Sequence, residues 1–397
     1  MSQRNAIIPG IDAEVEVHGE MPVLAEQLEA YGIKAFDLRD DREKFADLAN
    51  PLIDSYPARL SAPWYQFNSV ACSVPDAVVR NRLIFHAGLP VVGVGNLRWE
   101  ATAAEVARKG ELQVPDPDVH FKGRTGLLVG RSSFNYYHFI SDVLIFLEDL
   151  YDLVEELGLD RIVINPCRDN PNGFQRQMIN ALYPELSERI VLDETVFSAE
   201  HLTFVDIWPS YFSPGEGDEA IKRSGPKGTS RRAFRSSARP FYDRAARTLS
   251  DANSGPDVLI ISRRGADRRQ IVNDDALLDA LKGHGAEAII MEQLSVREQM
   301  ALCANAKVVI GAHGAGMINS GFCRAGATCI ELTGRHYLQR GSDFASLAMI
   351  RNLEYQFVIA DEEGDIEKMH GNTGNDIRLA TRAIDHIVET VDNALGR

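Results

Sequence analysis

The segment at residues 307–322, KVVIGAHGAGMINSGF, combines residue types whose spacing suits anion binding. An apolar run at 308–310 stops at Gly311, and the sequence HGAG follows at 313–316. This pattern predicts a buried parallel strand that ends in a glycine-rich turn and opens a helix. The first N–H groups of a helix lack internal partners and carry partial positive charge, and small residues let an anion approach them. The segment therefore predicts a diphosphate-binding turn.

Two further strand ends in the second half carry polar side chains. Ser262, Arg263 and Arg264 follow the apolar run DVLII, and Glu331 lies within TCIEL at 328–332. Open parallel sheets bind their ligands beyond the carboxyl ends of the strands. Arginine pairs with phosphate, and a carboxylate can accept hydrogen bonds from ribose hydroxyls. With the glycine turn, these ends predict a nucleoside diphosphate site, although Glu331 by itself is more typical of a surface residue.

The first half carries a candidate general base. Asn135, Tyr137, His138 and Asp142 fall at the start of a predicted long helix that follows the apolar strand GLLVG. His138 and Asp142 are four residues apart and so share one helix face. A histidine backed by an aspartate can act as a base near neutral pH. The alternative is an aromatic first turn packed on the sheet, with His138 in a structural hydrogen bond, and the spacing does not decide between them.

Several familiar motifs are absent from the sequence. It contains no GxGxxG fingerprint, no GxxxxGK[ST] loop and no GxSxG elbow, so hydride transfer, nucleotide hydrolysis and serine hydrolase chemistry lack their main support. The acid pairs at 40–41, 116–118 and 274–275 have no histidine or third carboxylate in an obvious relation to them. We therefore expect no metal site.

The hydrophobic pattern predicts an α/β fold. In the second half, predicted strands and helices alternate, which implies a parallel sheet with right-handed crossovers. The predicted strands there lie at 257–264, 286–292, 308–312 and 328–332, and the helices at 273–285 and 295–306. The first half yields strands at 126–130, 161–165 and 201–208 and helices at 23–30, 131–157, 174–182 and 241–249. An amphipathic stretch at 376–395 predicts a closing helix.

Length and charge limit the classes of protein. A chain of 397 residues predicts two domains, and a net charge of -15 argues against a general nucleic-acid binder. The region 222–247 nevertheless holds a single acid, Asp243, among many cations, which predicts either an anionic partner or a solvated linker. The Gly, Pro and Ser-rich stretch at 209–230 predicts a mobile interdomain loop.

The cellular compartment is predicted from features that do not occur in the sequence. No apolar run is long enough to cross a bilayer, and the first residues lack the apolar core of a signal peptide. The five cysteines show no C-x-x-C spacing, so buried free thiols in a reducing cytoplasm are expected.

With these residues in view, the chain resembles glycosyltransferase family sixty-one, the DUF563-type group. The resemblance covers roughly residues 112–357 and rests on five blocks in the family's order. These blocks are NYYHFISDVL at 135–144, FQRQMINAL at 174–182, ISRRGADRRQIVN at 261–273, SVREQMALCANAKVVIGAHGAGMINSGF at 295–322, and CIEL at 329–332. Within them, Arg263, Arg269, Asn273 and Asn319 match motif positions of the family.

The resemblance implies a GT-B fold, with two Rossmann-like domains facing across a cleft. It divides the chain into an acceptor-side domain at 1–245, whose first 110 residues are hard to interpret, a nucleotide-sugar domain at 246–375, and a closing helix at 376–397. It implies an inverting, metal-independent hexosyl- or pentosyltransferase. The nucleotide-sugar, most simply a UDP-sugar, is a substrate, and no cofactor is expected.

The resemblance also assigns roles to residues. His138 or Asp142 is the catalytic base, and Asn135 and Tyr137 lie on the acceptor side. The donor-binding set is Ser262, Arg263, Arg269, His313, Gly314, Ala315, Gly316, Asn319 and Glu331.

The expected acceptor is a glycan or lipid-linked glycan, which could be anionic, in bacterial surface polysaccharide synthesis. The protein would be cytoplasmic, with peripheral membrane contact a further expectation. Two alternatives stay open: a non-catalytic carbohydrate- or partner-binding protein on the same fold, and a pyruvyl or phosphosugar transferase.

Overall fold

Two large β-sheets organise the computed structural model, an eight-stranded sheet before residue 206 and a five-stranded parallel sheet after residue 257. Internal contacts divide the chain into two units, and the main part of the second runs from Tyr242 to Arg397. The predicted boundary after residue 245 stays a prediction. The structure describes residues 116–129, 132–151, 153–205, 238–249, 255–334, 342–363 and 374–397, together with strands at 3–7, 14–18, 34–37, 65–67, 70–80, 83–86, 89–91, 211–212 and 231–235.

The second sheet is built from the apolar runs of the second half. Its strand order is β15-β14-β16-β17-β18, and every neighbouring pair is parallel. Its strands are β14 Val258–Ile261, β15 Ala286–Ile289, β16 Val308–Ala312, β17 Thr328–Thr333 and β18 Glu354–Ile359. The helices of this half are α5 Ala238–Thr248, α6 Asp274–Leu281, α7 Val296–Asn305, α8 Ser342–Arg351 and α9 Thr381–Leu395. The predicted α/β alternation is confirmed.

The helix boundaries follow local signals. Ser295 and Glu298 form a capping box at the start of α7. After α6, a 3-10 turn at Lys282–His284 ends at Gly285, whose φ of 71° is the left-handed conformation that glycine adopts most easily. Two further 3-10 helices occupy Met291–Gln293 and Ala315–Phe322.

The two faces of the second sheet differ in chemistry because strand side chains alternate. One face packs against α6 and α9 in a hydrophobic cluster that includes Ile310 and Leu332. The register pairs Gly311 with Glu331, and Cys329 with Tyr355. These residues therefore share the opposite face, and this face carries the candidate site.

The first sheet is mixed rather than parallel throughout. Neighbouring strands in the order β10-β9-β8-β11 are parallel, and β11 then pairs antiparallel with β5. β5 also pairs antiparallel with β3 and β6, and β6 pairs antiparallel with β7. The strands are β3 Lys34–Asp37, β5 Val70–Arg80, β6 Leu83–His86, β7 Leu89–Val91, β8 Val119–Val129, β9 Arg161–Asn165, β10 Ile190–Leu192 and β11 Phe197–Val205. The antiparallel part comes from the region that the sequence left hardest to interpret.

The long helix predicted at 131–157 begins later, at Tyr136, and is interrupted. It consists of α1 Tyr136–Phe139, a π-helical turn Ile140–Leu144, α2 Ile145–Tyr151 and α3 Leu153–Glu156. Apolar side chains recur along it at helical spacing, and Phe139, Val143, Phe146, Leu147 and Leu150 are all buried. Another helix, α4 Phe174–Leu182, has the predicted bounds, and a 3-10 turn at Pro184–Leu186 follows it.

Some predictions differ from the structure or lie outside the described residues. The stretch predicted as one closing helix begins with a strand, β20 Asp376–Arg378, which pairs with β19 Asp361–Glu363, and the helix starts only at Thr381. Within the predicted loop, β12 Tyr211–Phe212 pairs with β13 Arg231–Arg235, which also pairs with β4 Tyr65–Phe67. A further hairpin joins β1 Gln3–Ile7 to β2 Glu14–His18. The predicted helix at 23–30 and the cations at 222–230 lie outside the described residues.

Among the helices that the structure describes, none has the length and apolarity needed to cross a bilayer.

Candidate active site

The side chain of Arg263 lies against the glycine turn that follows β16. Its Nε and Nη2 atoms donate hydrogen bonds to the carbonyl oxygen of Arg268 at 3.1 and 2.9 Å. Its Nη1 atom lies beside Gly314, where a β-carbon would be only 2.5 Å away. Any side chain at 314 would therefore displace the guanidinium. The structure thus brings together two strand ends that the sequence predicted as one site.

The glycine turn opens a 3-10 helix rather than an α-helix. The N–H of Met317 donates to the carbonyl of Gly314 at 3.0 Å, and the helix continues to Phe322. A β-carbon at Gly311 would meet Met317 Sδ at 2.6 Å, so glycine at 311 lets the helix fold back against β16. Gly314 is buried, whereas Ala315 and Gly316 are partly exposed. The first turn of this helix therefore reaches the surface of the protein.

Two predicted donor-binding residues lie in the interior instead. Asn319 is fully buried, and its Nδ2 donates to Oε1 of Gln299 at 3.2 Å. Ser262 is buried, and its hydroxyl accepts from the N–H of Arg264 at 3.2 Å. These hydrogen bonds hold the turn and the strand end in place. Because both side chains are buried, the predicted direct contact of both residues with the donor does not fit the structure.

A small depression lies beside the glycine turn. Arg269 and His313 line it with the end of β17 and with residues near β20. The full lining is Arg269, Ala312, His313, Leu332, Thr333, Gly334, Asn375 and Ile377. Its cavity volume of about 10 Å³ is room for about one water molecule, far less than the roughly 300–1,000 Å³ of a whole ligand pocket.

The loop that carries Arg269 is braced by residues 374–379. The N–H groups of Arg269 and Gln270 donate to Gly374 O and Asp376 Oδ1 at 3.2 and 2.8 Å. The amide of Asn273 exchanges two hydrogen bonds with the backbone of Leu379, each 2.9 Å long. Arg269 has a φ of 58°, which is costly for a residue other than glycine and which the brace holds. Asn273, matched to a family motif, therefore acts on the backbone of this segment.

His313, Glu331 and Tyr355 form a hydrogen-bonded chain. One carboxylate oxygen of Glu331 bonds Nδ1 of His313, and the other accepts from the hydroxyl of Tyr355. The side chain of Glu331 is 0% exposed. The prediction that Glu331 accepts from ribose hydroxyls does not fit this environment, because both oxygens are engaged inside the protein.

The guanidinium of Arg264 binds carboxylates, whereas that of Arg263 binds a backbone carbonyl. Arg264 pairs with Asp274 at 2.7 Å and with Asp275, and these carboxylates raise the pKa of its guanidinium. Its charge is thus engaged at the start of α6 by the acid pair at 274–275.

The candidate base lies in the first unit. Asn135 caps α1 by accepting from the N–H of His138 at 3.3 Å, and Nδ1 of His138 lies 2.8 Å from Oδ2 of Asp142. Ser141 donates to the other oxygen of Asp142 at 2.8 Å, and the ring of Tyr137 packs edge-on against His138 at 5.3 Å. The side chains of His138 and Asp142 are 37% and 16% exposed, so the pair is accessible from solvent. The structure therefore brings all four predicted residues together.

Asp142 lies within the π-helical turn, which inserts an extra residue into the helix. Such turns often occur at functional sites. The four-residue spacing of His138 and Asp142 is visible in the sequence, whereas no residue pattern there indicates the π-helical turn.

Sequence reasoning missed the pocket residues beyond β17. Gly334 directly follows the apolar run TCIELT, so a glycine at a strand end was a usable signal for it. Asn375 had no such signal, because its place at the pocket comes from the pairing of a distant segment with the Arg269 loop.

No group of three histidine, cysteine, aspartate or glutamate side chains suited to a metal ion occurs in the part of the chain that the structure describes.

Comparison with known proteins gives one family. The family model for Glycosyltransferase 61 matches residues 136–330. No curated protein sequence matches the chain. The matched region contains His138 and Asp142 as well as Arg263, Arg269 and the glycine turn, whereas Glu331 and Tyr355 lie beyond it. Residues 136–330 therefore form a glycosyltransferase family 61 region, and the protein is a glycosyltransferase.

Proposed function

We propose that this protein is an inverting, metal-independent glycosyltransferase that moves a sugar from a nucleotide-sugar, most simply a UDP-sugar, to a hydroxyl group. The contact of Arg263 with Gly314 carries the proposal. It places a fixed cation at the start of the 3-10 helix, beside a depression lined by Arg269 and His313. Two arginines and a helix start form a positive site of the kind that a diphosphate requires.

In the proposed reaction, His138 or Asp142 takes the proton of the acceptor hydroxyl. The acceptor oxygen attacks the anomeric carbon from the face opposite the nucleotide, and the bond from that carbon to the phosphate oxygen breaks. The nucleoside diphosphate leaves with the bonding electrons, and the configuration inverts. Arg263, Arg269 and the helix start offset the charge that develops on the diphosphate, and preorganised donors of this kind contribute about 3–4 kcal/mol each.

The wider setting belongs to the same proposal. A GT-B arrangement, with donor and acceptor residues on two facing Rossmann-like domains, would bring His138 to the donor. The acceptor would be a glycan or lipid-linked glycan, anionic acceptors included, in bacterial surface polysaccharide synthesis at the cytoplasmic side of a membrane. Family membership supports sugar transfer over pyruvyl or phosphosugar transfer.

Calorimetric titration with UDP, GDP and CMP tests the donor site. We expect one nucleotide to bind the wild type and to bind the Arg263→Ala variant at least about 10-fold more weakly, since loss of a charge-assisted hydrogen bond costs about 1.5–3 kcal/mol. The matched control is Arg264→Ala, because Arg264 is the next residue but pairs with Asp274. Absence of binding by all three nucleotides, or equal losses in both variants, would contradict the proposal.

Product analysis tests the stereochemistry. Purified protein is incubated with a panel of UDP-sugars and glycan acceptors, and the anomeric configuration of the product is read by NMR. Retention of the donor configuration would overturn the inverting mechanism.

A further inference from the structure

The buried chain of His313, Glu331 and Tyr355 connects the interior of the second unit with the pocket. Glu331 and Tyr355 lie on neighbouring parallel strands, β17 and β18, and on the same face of the sheet. His313 follows the end of β16, and its N–H donates to the carbonyl of Leu332 at 2.8 Å. The three side chains therefore come from three successive strands of one sheet and are held in register by its backbone.

Burial makes the carboxylate of Glu331 dependent on its two partners. A buried carboxylate is costly unless it is paired and hydrogen-bonded. In this chain one oxygen of Glu331 is bonded to His313 and the other to Tyr355. Because a carboxylate only accepts hydrogen bonds, Nδ1 of His313 is the nitrogen that carries a proton. The carboxylate thus determines both the tautomer and the orientation of the ring.

The imidazole ring is also held from a second side. Phe344 of α8 packs edge-on against it, with the ring centres 5.2 Å apart. His313 nevertheless lines the depression together with Arg269. The ring is therefore held by Glu331 and Phe344 in a residue that lines the pocket.

We propose that Glu331 and Tyr355 are positioning residues, which fix the ring of His313 so that it meets the leaving diphosphate of the donor. This inference rests on the proposed function. It replaces the predicted ribose contact of Glu331 with an action through His313. It also extends the donor site to β18, beyond the segment that matches the family.

If Glu331 and Tyr355 act through His313, substitutions at these two positions should change kcat more than KM. Tyr355→Phe keeps the aromatic packing and removes the hydrogen bond to Glu331, so the carboxylate and then the imidazole become less fixed. We expect kcat/KM to fall about 3- to 10-fold, as for loss of one hydrogen bond, with most of the loss in kcat. Glu331→Gln replaces the carboxylate with an amide that cannot fix one tautomer, and the loss should be larger.

The experiment combines kinetics with NMR of protein labelled with ¹⁵N in histidine. A buried N–H to carboxylate hydrogen bond protects the Nδ1 proton of His313 from exchange with water and shifts its resonance downfield. His138 and His284 also bond carboxylates, so the resonance of His313 is assigned by its loss in His313→Asn. We expect this resonance to shift in Tyr355→Phe and to disappear in Glu331→Gln, while circular dichroism shows that both variants are folded.

Cys329→Ala is the matched control. Cys329 is buried on the same strand and the same face as Glu331, two residues earlier. This variant should lose stability but keep the His313 resonance and the kcat/KM of the wild type.

The possible outcomes are distinct. A wild type that binds no nucleotide overturns the proposed function, while the resonance still reports whether Glu331 fixes the ring. A wild type that binds UDP, with Tyr355→Phe and Glu331→Gln that keep wild-type kcat and an unchanged resonance, overturns the inference. Equal kinetic losses in Cys329→Ala and Tyr355→Phe would also overturn it, because packing alone would then explain both.

Discussion

His138 Nδ1 lies 2.8 Å from Asp142 Oδ2, and Ser141 engages the other oxygen of that carboxylate. Asp142 is thus held by two partners, whereas the His138 side chain is the more exposed member of the pair. This asymmetry favours His138 as the group that meets the acceptor and Asp142 as the group that orients it, as in other histidine–carboxylate pairs.

We expect His138→Ala to lower kcat about 10²- to 10⁴-fold, the range typical of a lost general base, with little change in nucleotide affinity. Asp142→Asn should keep part of the activity, because the ring remains hydrogen-bonded. The measurement is steady-state kinetics with the donor identified by calorimetry. His120→Ala serves as the control, since His120 is an exposed histidine of the same unit bonded to Ser198. A larger kcat loss in Asp142→Asn than in His138→Ala would reverse the two roles.

Gly314→Ala tests the close approach of Arg263 without removing a charge. The new β-carbon would lie 2.5 Å from Nη1, so the guanidinium must move. Nucleotide affinity should fall at least about 10-fold, equivalent to about 1.4 kcal/mol. The control is Gly283→Ala, because a β-carbon there meets no atom within 4 Å. Unchanged calorimetric affinity in Gly314→Ala would show that the position of Arg263 is irrelevant to the donor.

Asn273→Ala tests the brace on the Arg269 loop. The substitution removes both side-chain hydrogen bonds to the backbone of Leu379 and should lower the free energy of unfolding by about 1–3 kcal/mol. Affinity for the nucleotide should fall as well, because Arg269 then loses its fixed backbone conformation. Asn393→Ala, at an exposed position near the end of α9, should leave both quantities near their wild-type values. A loss of stability with unchanged affinity would limit the brace to folding.

Cys167 provides a prediction for pH. Burial raises the pKa of its thiol from an ordinary value of 9.0 to about 11. At pH 8 its thiolate fraction is therefore roughly a hundred-fold smaller than that of an unshifted thiol, and thiol reagents should label it only after unfolding. Labelling is measured in a Cys72→Ser background, since the side chain of Cys72 lies outside the described residues. Rapid labelling of the native protein would contradict this burial.

The same shift has a consequence for stability. The folded state favours the neutral thiol of Cys167, so this thiol adds its full share to the free energy of unfolding below its ordinary pKa of 9.0. This share is lost as the pH rises toward 11. Chemical denaturation between pH 8 and pH 11 should show a steeper loss of stability in the wild type than in Cys167→Ala.

The fold of the second half was predictable because its signals are local. The apolar runs of β14, β16 and β17, the capping box at Ser295 and the glycine after α6 each fall within a few residues of the element they define. The mixed character of the first sheet was not predictable, since antiparallel pairing of β5 with β11 joins residues more than a hundred positions apart.

The candidate site likewise combines features that the sequence predicts with features that it does not. The proximity of Arg263 to the glycine turn followed from the rule that parallel strands end at a common edge. The roles of Glu331 and Asn319 did not, because a motif does not reveal which of its polar side chains face the interior. The brace on Arg269 was also beyond prediction, because it depends on a pairing between residues 269–273 and 374–379.

That pairing has a consequence for biosynthesis. The strand that supports Arg269 is made more than a hundred residues after it, so the pocket wall can assemble only once residue 376 has left the ribosome. A nascent chain halted before residue 374 would contain the whole segment that matches the family and still lack the Asn375 side of the pocket. Synthesis of the family segment and assembly of the Arg269 wall are therefore separate events.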